Sequence, residues 1–181
     1  ESGYEVKYFG FKNAKKRMEE IGISELSDED FISGIQRTTP VRNWYSAEQF
    51  WSIIGYNNAE WLNVKVDNLI SKLKEFSPDI IFSDLGILSC IAAKIMGIPL
   101  VALNQSCYHP NRIYDRLRWW ELPQNIETGL MGVLNDIFRK HGVRPLNKFE
   151  EIFTGELTLI PSFPEFDPIS SLGEYNTHYI G

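Results

Sequence analysis

The sequence predicts an α/β fold: a doubly wound, mostly parallel sheet with helices on both faces. The prediction begins with residues 77–104, SPDIIFSDLGILSCIAAKIMGIPLVALN, which read in succession as strand, helix and strand. Both strands are continuous apolar runs, as expected for strands that are covered on both faces. A strand, a helix and a second strand at this spacing form a βαβ unit, which makes its two strands parallel.

The elements before this unit begin with a strand and two short helices. The segment YEVKYFG alternates apolar and polar residues, which predicts a strand over 4–9. The following KNAKKRMEEIG predicts a short helix that ends at Gly22. A capping-box pattern starting at Ser27 predicts another short helix, and Pro40 marks the loop after it.

A long helix is predicted to start after Ser46, because Gln49 three residues later completes a capping box. Apolar residues then recur at helical spacing until Ser77 and Pro78 end the pattern. Gly55 lies inside this stretch and predicts a bend or an interruption.

Beyond the βαβ unit the pattern predicts three more helices, over 111–123, 125–142 and 147–153. Gly142 ends the second of these helices. The strands that we expect to share one parallel sheet, with 79–83 away from its edge, are 4–9, 79–83, 99–103, 156–160 and 177–180.

Composition is that of an ordinary globular domain, with 181 residues of which 43% are hydrophobic and 23% charged. No apolar run approaches the roughly 18 to 20 residues of a membrane span, and the N-terminal stretch does not resemble a signal peptide. We therefore expect a cytoplasmic protein. A net charge of −6 disfavours a nucleic-acid partner, because phosphate binding needs clustered Lys and Arg.

The sequence contains no recognisable motif for a metal site or for a dinucleotide-binding site. Cys90 and Cys107 are not part of a CxxC pair, and the three histidines stand apart in the sequence, so no metal site is expected. A nucleotide-binding dehydrogenase or epimerase domain is disfavoured because no GxGxxG follows a predicted strand.

Asp84 is the candidate catalytic residue, since it is the first ionisable residue past the strand 79–83. Ligands of open parallel sheets bind outside the carboxyl ends of the strands. A carboxylate there can hold the N–H of an imidazole, so that the other ring nitrogen serves as general base towards a hydroxyl. Asp is also a favoured N-cap, and Asp84 could equally cap the helix that begins near Leu85. The two roles are compatible, and the sequence leaves both open.

The stretch 77–110, with its pattern PD-hydrophobic-D…AA…GIP-hydrophobic, resembles the acceptor-binding domain of GT-B fold, UDP-glycosyltransferase-like enzymes of the bacterial macrolide-type group. Residues 134–171 and 175–181 are similar to the later part of that domain, and 3–23 to its second strand and the following helix. The resemblance implies a Rossmann-like half of an inverting glycosyltransferase. Such an enzyme moves a sugar from a nucleotide-sugar to a hydroxyl of a small, apolar acceptor.

The resemblance also implies that some parts of the family's fold lie outside these 181 residues. The first strand of the family, its Gly-rich loop and its catalytic His would precede the segment at 2–6, and the donor-binding domain would follow Gly181. We therefore expect one acceptor-binding domain over 1–181, truncated at the N-terminal side and inactive alone. No cofactor is expected, because the nucleotide-sugar is a co-substrate bound mainly by the absent domain. Apolar surface should remain exposed beside the strands 4–9 and 79–83.

In this resemblance Asp84 matches the acid that orients the catalytic His. The residues expected to line the acceptor pocket are Trp51, Asn104, Tyr108, His109, Trp119 and Trp120. Trp119 and Trp120 are adjacent and cannot both face the core from one helix, so one should be exposed or contact a ligand. The remaining aromatic residues also suit an ordinary core, and His109 an ordinary loop ahead of Pro110. An alternative function is a non-catalytic, glycosyltransferase-like domain that binds another subunit through its aromatic face.

Overall fold

The structure is a computed structural model that describes residues 3–10, 12–27, 33–36, 43–113 and 126–181. It is a mixed α/β structure with parallel sheets flanked by helices, which confirms the predicted fold class. The helices predicted from Ser27 and over 111–123 fall largely outside the described residues. Among the helices that are described, none has both the length and the apolar character that crossing a bilayer requires.

The main sheet has four parallel strands in the order β3, β4, β5, β6. Their bounds are β3 Ile81–Asp84, β4 Leu100–Leu103, β5 Leu157–Ile160 and β6 Thr177–Tyr179. One row across the sheet pairs Ser83 with Ala102, Ala102 with Thr158, and Thr158 with Thr177. These four side chains are small and buried, so helices can approach this face of the sheet closely.

The βαβ unit forms as predicted. Helix α4 (Ile87–Met96) connects β3 to β4 and ends at Gly97, whose φ of 66° gives the left-handed cap that the sequence indicated. Its residues 87–93 are all buried, because it packs against β3, β4 and helix α3 (Ala59–Phe76).

The predicted long helix is interrupted, giving α2 (Ala47–Ile53) and α3. Ser46 caps α2 by accepting the N–H of Gln49 at 3.1 Å, as the capping box predicted. Gly55 lies between the helices with φ 111°, and a Cβ at this position would overlap the carbonyl oxygen of Gln36. The interruption therefore requires glycine both for its backbone angle and for space.

The first strand does not join the main sheet, which corrects the expectation of one sheet. Strand β1 (Lys7–Tyr8) pairs in parallel with β2 (Ser24–Glu25), and helix α1 (Lys12–Glu20) connects them. An ion pair of 2.6 Å between Lys15 and Glu25 holds α1 to β2. Strand β2 was not predicted, because two polar residues carry no readable periodicity.

Strand β3 lies at the edge of the four described strands, where the sequence analysis expected an inner strand. Ile81 and Ser83 point into the core, while Ile80 and Phe82 are 56% and 62% exposed. Tyr4 and Val6, which precede β1, are also exposed. Apolar surface is thus exposed beside the two segments where it was expected.

The last α-helix of the described residues, α5 (Leu130–Lys140), starts later than predicted. Gly129 has φ 71°, which breaks the helical path before Leu130, and Thr128 accepts the Leu130 N–H at 3.2 Å. Gly142 ends the segment with φ 72°, as predicted. The predicted helix at 147–153 is a 3-10 helix, Phe149–Phe153. These elements close the core, whose fully buried side chains include Leu62, Leu69, Ile91, Leu134, Phe138 and Phe153.

Gly155 should be intolerant of a methyl group. A Cβ at Gly155 would overlap the carbonyl oxygen of Leu100 in β4, and this backbone atom cannot move without disturbing the sheet. We expect Gly155→Ala to lower the free energy of unfolding by about 1 to 3 kcal/mol. The control is Gly132→Ala in α5, which has nothing within 4 Å and should gain about 0.5 to 1 kcal/mol. Chemical denaturation measures both, and equal effects of the two changes would contradict this description of Gly155.

The exposed edge of β3 should promote self-association, because unpaired backbone groups beside Phe82 offer a template for another strand. We expect Phe82→Lys to reduce aggregation of the 181-residue chain with little change in its melting temperature. Light scattering at increasing concentration measures the effect, with Val64→Lys on the exposed face of α3 as control. Equal solubilisation by both changes would mean that added charge, and not the edge, is responsible.

Candidate functional site at the carboxyl edge of the sheet

Asp84 is the last residue of β3 and lies opposite Leu103 in β4, at the carboxyl edge of the sheet. It is exposed, and its carboxylate has no hydrogen bond or ion pair with any residue that the structure describes. Because no described residue engages the Asp84 carboxylate, it is available to a group outside the described residues.

Asp84 does not cap the helix that follows it. Helix α4 begins at Ile87, its N-cap residue is Gly86, and no side chain caps it. The backbone N–H of Gly86 donates instead to Ser83 Oγ at 3.1 Å. The sequence left two roles open for Asp84, and the structure does not show the role of helix cap.

The turn after Asp84 is tightly built. Leu85 has φ 49°, a left-handed backbone that a branched side chain rarely adopts. A Cβ at Gly86 would lie 2.5 Å from Ser89 Oγ and 3.1 Å from Ser83 Oγ. These two hydroxyls are hydrogen-bonded at 2.7 Å beneath the turn. The turn therefore has little freedom, and the backbone that carries Asp84 is fixed.

The loop after β4 is held by Asn104, which is buried. Its Nδ2 donates to the carbonyl oxygens of Phe153 at 3.0 Å and Tyr108 at 3.3 Å, and its Oδ1 accepts the N–H of Gln105 at 2.8 Å. In this geometry the side chain of Asn104 fixes the path of residues 104–109.

His109 is fully buried and both of its ring nitrogens are engaged. Nδ1 accepts the backbone N–H of Asn111 at 3.0 Å, so Nε2 carries the proton and donates to Thr177 Oγ1 at 2.9 Å. Burial lowers the pKa of His109 to about 4, which keeps the ring neutral. His109 thereby ties the loop after β4 to the start of β6.

Trp51 and Tyr108 belong to one aromatic cluster. Both are half-buried, and both contact Phe153, with ring centroids 5.8 and 5.7 Å away. Phe153 also supplies the carbonyl that holds Asn104, so the cluster lies beside the carboxyl end of β4. Trp119 and Trp120 lie outside the described residues. Of the predicted pocket residues, four are thus close to one another.

The loop at 161–171, which the sequence analysis did not assign to the site, reaches the same edge. It leaves the carboxyl end of β5, and Asp167 accepts the backbone N–H and the hydroxyl of Ser106 in the loop after β4. Pro161 directly after an apolar strand was the available signal, because it places the loop at the ligand-binding edge.

A groove of about 630 Å³ lies at the opposite, amino edge of the sheet. Two of its charged side chains hold the fold: Lys94 donates to the Thr154 carbonyl at 2.6 Å, and Glu156 accepts the Leu100 N–H at 2.6 Å. Arg144 and Glu174, which also line the groove, are exposed. Within the described residues no group of three or more His, Cys, Asp or Glu side chains is placed to hold a metal ion.

Comparison with known proteins gives no match to a family model. The chain is 31% identical over 132 residues to proteins of Mycobacterium bovis (strain BCG / Pasteur 1173P2) and Mycobacterium tuberculosis (strain ATCC 25177 / H37Ra). Each of them is described as a PGL/p-HBAD biosynthesis rhamnosyltransferase. The match covers 60% of this chain and 28% of the relative, so the chain spans little more than a quarter of these proteins. This similarity supports a relationship to glycosyltransferases.

The environment of His109 predicts a pH dependence of stability. Because its pKa in the fold is lowered to about 4, the unfolded chain takes up a proton near pH 6.5 while the folded chain does not. Stability should therefore fall as pH drops from about 6.5 to about 4, by up to about 3 kcal/mol. Urea unfolding of the wild type and of His109→Gln, whose amide does not titrate, isolates this contribution. Identical pH dependence of the two proteins in this range would contradict the assignment.

Proposed function

We propose that this chain is the acceptor-binding part of an inverting glycosyltransferase that moves a hexose from a nucleotide-sugar to a hydroxyl of a small, apolar acceptor. The observation that carries the proposal is the exposed carboxylate of Asp84, which has no partner among the described residues and is held by a constrained turn at the carboxyl edge of a parallel sheet. The similarity to rhamnosyltransferases supports the reaction class, and it makes a nucleotide-activated rhamnose the first donor to test.

In the proposed mechanism the acceptor hydroxyl attacks the anomeric carbon, and the nucleoside diphosphate leaves from the opposite face of the sugar. A His from another part of the complete protein takes the hydroxyl proton as general base. Asp84 accepts the N–H of the other ring nitrogen of that imidazole, fixes its tautomer and stabilises the imidazolium as it forms. The donor is a co-substrate bound mainly by a second domain, so the mechanism needs no cofactor and the 181 residues alone are inactive.

The apolar side of the acceptor would contact the aromatic cluster. Trp51 and Tyr108 present half-buried rings at this edge, and Trp119 and Trp120 are proposed to add to the same wall. Direct contact of Asn104 and His109 with the acceptor stays a prediction. Their present hydrogen bonds give them a second task, which is to keep the loop 104–109 in place. A cytoplasmic location is part of the same proposal.

The alternative, a non-catalytic domain that binds another subunit, is favoured by one observation. Phe82 and Ile80 leave apolar surface on the edge strand, and such surface often marks a protein contact. The two functions differ in outcome: a complete protein that binds a subunit but transfers no sugar from any nucleotide-sugar would support the alternative.

Asp84→Asn in the complete enzyme should lower kcat by about 10² to 10⁴, because the amide cannot stabilise the imidazolium that the general base becomes. Acceptor KM and the melting temperature should stay nearly unchanged, since the carboxylate makes no local contact among the described residues. Steady-state kinetics and thermal melting measure these quantities.

The matched control is Asp79→Asn, another exposed acid, which precedes β3 at the opposite edge of the sheet. It should leave kcat within about threefold of the wild type, because it lies a strand length away from the site. An unchanged kcat in Asp84→Asn, or an equal loss in both variants, would remove the catalytic role of Asp84.

A further inference from the structure

Two exposed phenylalanines stand together on the loop that follows β5. Phe163 is 54% and Phe166 is 78% exposed, and their ring centroids are 5.8 Å apart at an interplanar angle of 49°. The backbone N–H groups of Phe166 and Asp167 both donate to the Phe163 carbonyl, at 3.1 and 3.0 Å. This tight turn presents both rings on the outer surface, where they contribute little to the core.

The turn lies at the same edge of the sheet as Asp84. Its loop leaves the carboxyl end of β5, and β5 is two strands from β3 in the sheet order. Two strand spacings are about 10 Å, so the end of β5 and Asp84 are separated by roughly that distance, and the turn begins three residues beyond the end of β5. The strand between them, β4, ends at Leu103 and leads into the loop 104–109.

Asp167 fastens the turn to its surroundings on two sides. Its carboxylate accepts the N–H of Ser106 at 3.2 Å and also the Ser106 hydroxyl, which ties the turn to the loop after β4. Its backbone carbonyl accepts the hydroxyl of Tyr179 at 2.6 Å, which ties the turn to β6.

A second set of contacts fixes the rest of the loop. The N–H and the hydroxyl of Ser170 donate to the Asn111 carbonyl at 2.9 and 3.0 Å, and Asn111 Nδ2 donates to the Ser171 carbonyl at 3.1 Å. Arg112 and Ile169 form an antiparallel bridge beside them. The exposed rings therefore stand on a rigid support.

A rigid support matters because a ligand that binds to it loses less free energy to the ordering of a loop. Aromatic faces offer large apolar contact area to rings and alkyl chains. We propose that Phe163 and Phe166 bind the apolar body of the acceptor while its reacting hydroxyl lies at Asp84. The separation points to a substrate class: a hydroxyl at one end of an elongated aryl or alkyl body about 10 Å long or longer. This inference rests on the proposed function and extends it to the acceptor.

Binding of 4-hexylphenol and of phenol to the complete protein tests the inference, with isothermal titration calorimetry as the measurement. The double change Phe163→Ser, Phe166→Ser removes both rings. It should weaken 4-hexylphenol binding about tenfold, as expected when some 50 Å² of apolar contact is lost. Phenol is too short to reach from Asp84 to the turn, so its affinity should change less than threefold.

Two further variants separate binding from stability. Ile21→Ser removes an apolar side chain that is 67% exposed after α1, and it should leave 4-hexylphenol affinity unchanged. Asp167→Ala keeps both rings but releases the turn from Ser106, so it should also weaken 4-hexylphenol binding. The melting temperature of the double Phe variant should match the wild type, because the rings are exposed.

Unchanged 4-hexylphenol affinity in the double variant would overturn the inference, and so would equal losses for phenol and 4-hexylphenol. Loss of binding to phosphatidylglycerol vesicles with 4-hexylphenol affinity intact would assign the rings to a membrane surface and overturn it as well. Failure of the proposed function looks different: the protein binds 4-hexylphenol through the two rings but transfers no sugar to it from any nucleotide-sugar. In that case the rings remain an apolar ligand site.

Discussion

The packing of α4 against β3 and β4 is the contact on which the other parts depend. Small side chains make it possible: Ser83 on β3 meets Ser89 on α4 at 2.7 Å, and Ala92 and Ala93 are fully buried. Close packing brings the start of α4 near the end of β3, so the connection between them must be short. The left-handed Leu85 and the confined Gly86 result from this shortness. The direction of the Asp84 backbone is therefore determined by core packing.

The parallel pairing of the strands then determines where the candidate functional residues lie. Because β3, β4 and β5 run the same way, the segments that follow them all emerge at one edge. Asp84, the loop 104–109 and the loop 161–171 come from distant parts of the sequence and meet there. The two loops are joined by the hydrogen bonds of Asp167 to Ser106, which make them one surface beside Asp84. This arrangement is why the proposed site lies at the carboxyl edge of the sheet.

Local features of this fold could be predicted from the sequence, but the pairing of strands and the contacts of individual side chains could not. Three features follow from short stretches of sequence, through hydrophobic periodicity and the backbone preferences of single residues. They are the βαβ unit, the cap at Ser46 and the interruption at Gly55. The edge position of β3 depends on which strands find each other across the chain, and no residue of 79–83 encodes it. The turn after Asp84 contains a left-handed Leu85, which the sequence gives no reason to expect.

The exposure of Asp84 sets a condition on any catalytic role. A carboxylate that orients an imidazole acts strongly only where water is excluded, because water weakens its hydrogen bond and screens its charge. Phe82 and Asp84 are two residues apart on β3 and therefore lie on the same face of the strand. A surface that covers the apolar ring of Phe82 would shield the carboxylate as well. Covering β3 would therefore have two effects. It would stabilise the exposed edge of the sheet, and it would strengthen the hydrogen bonds of Asp84.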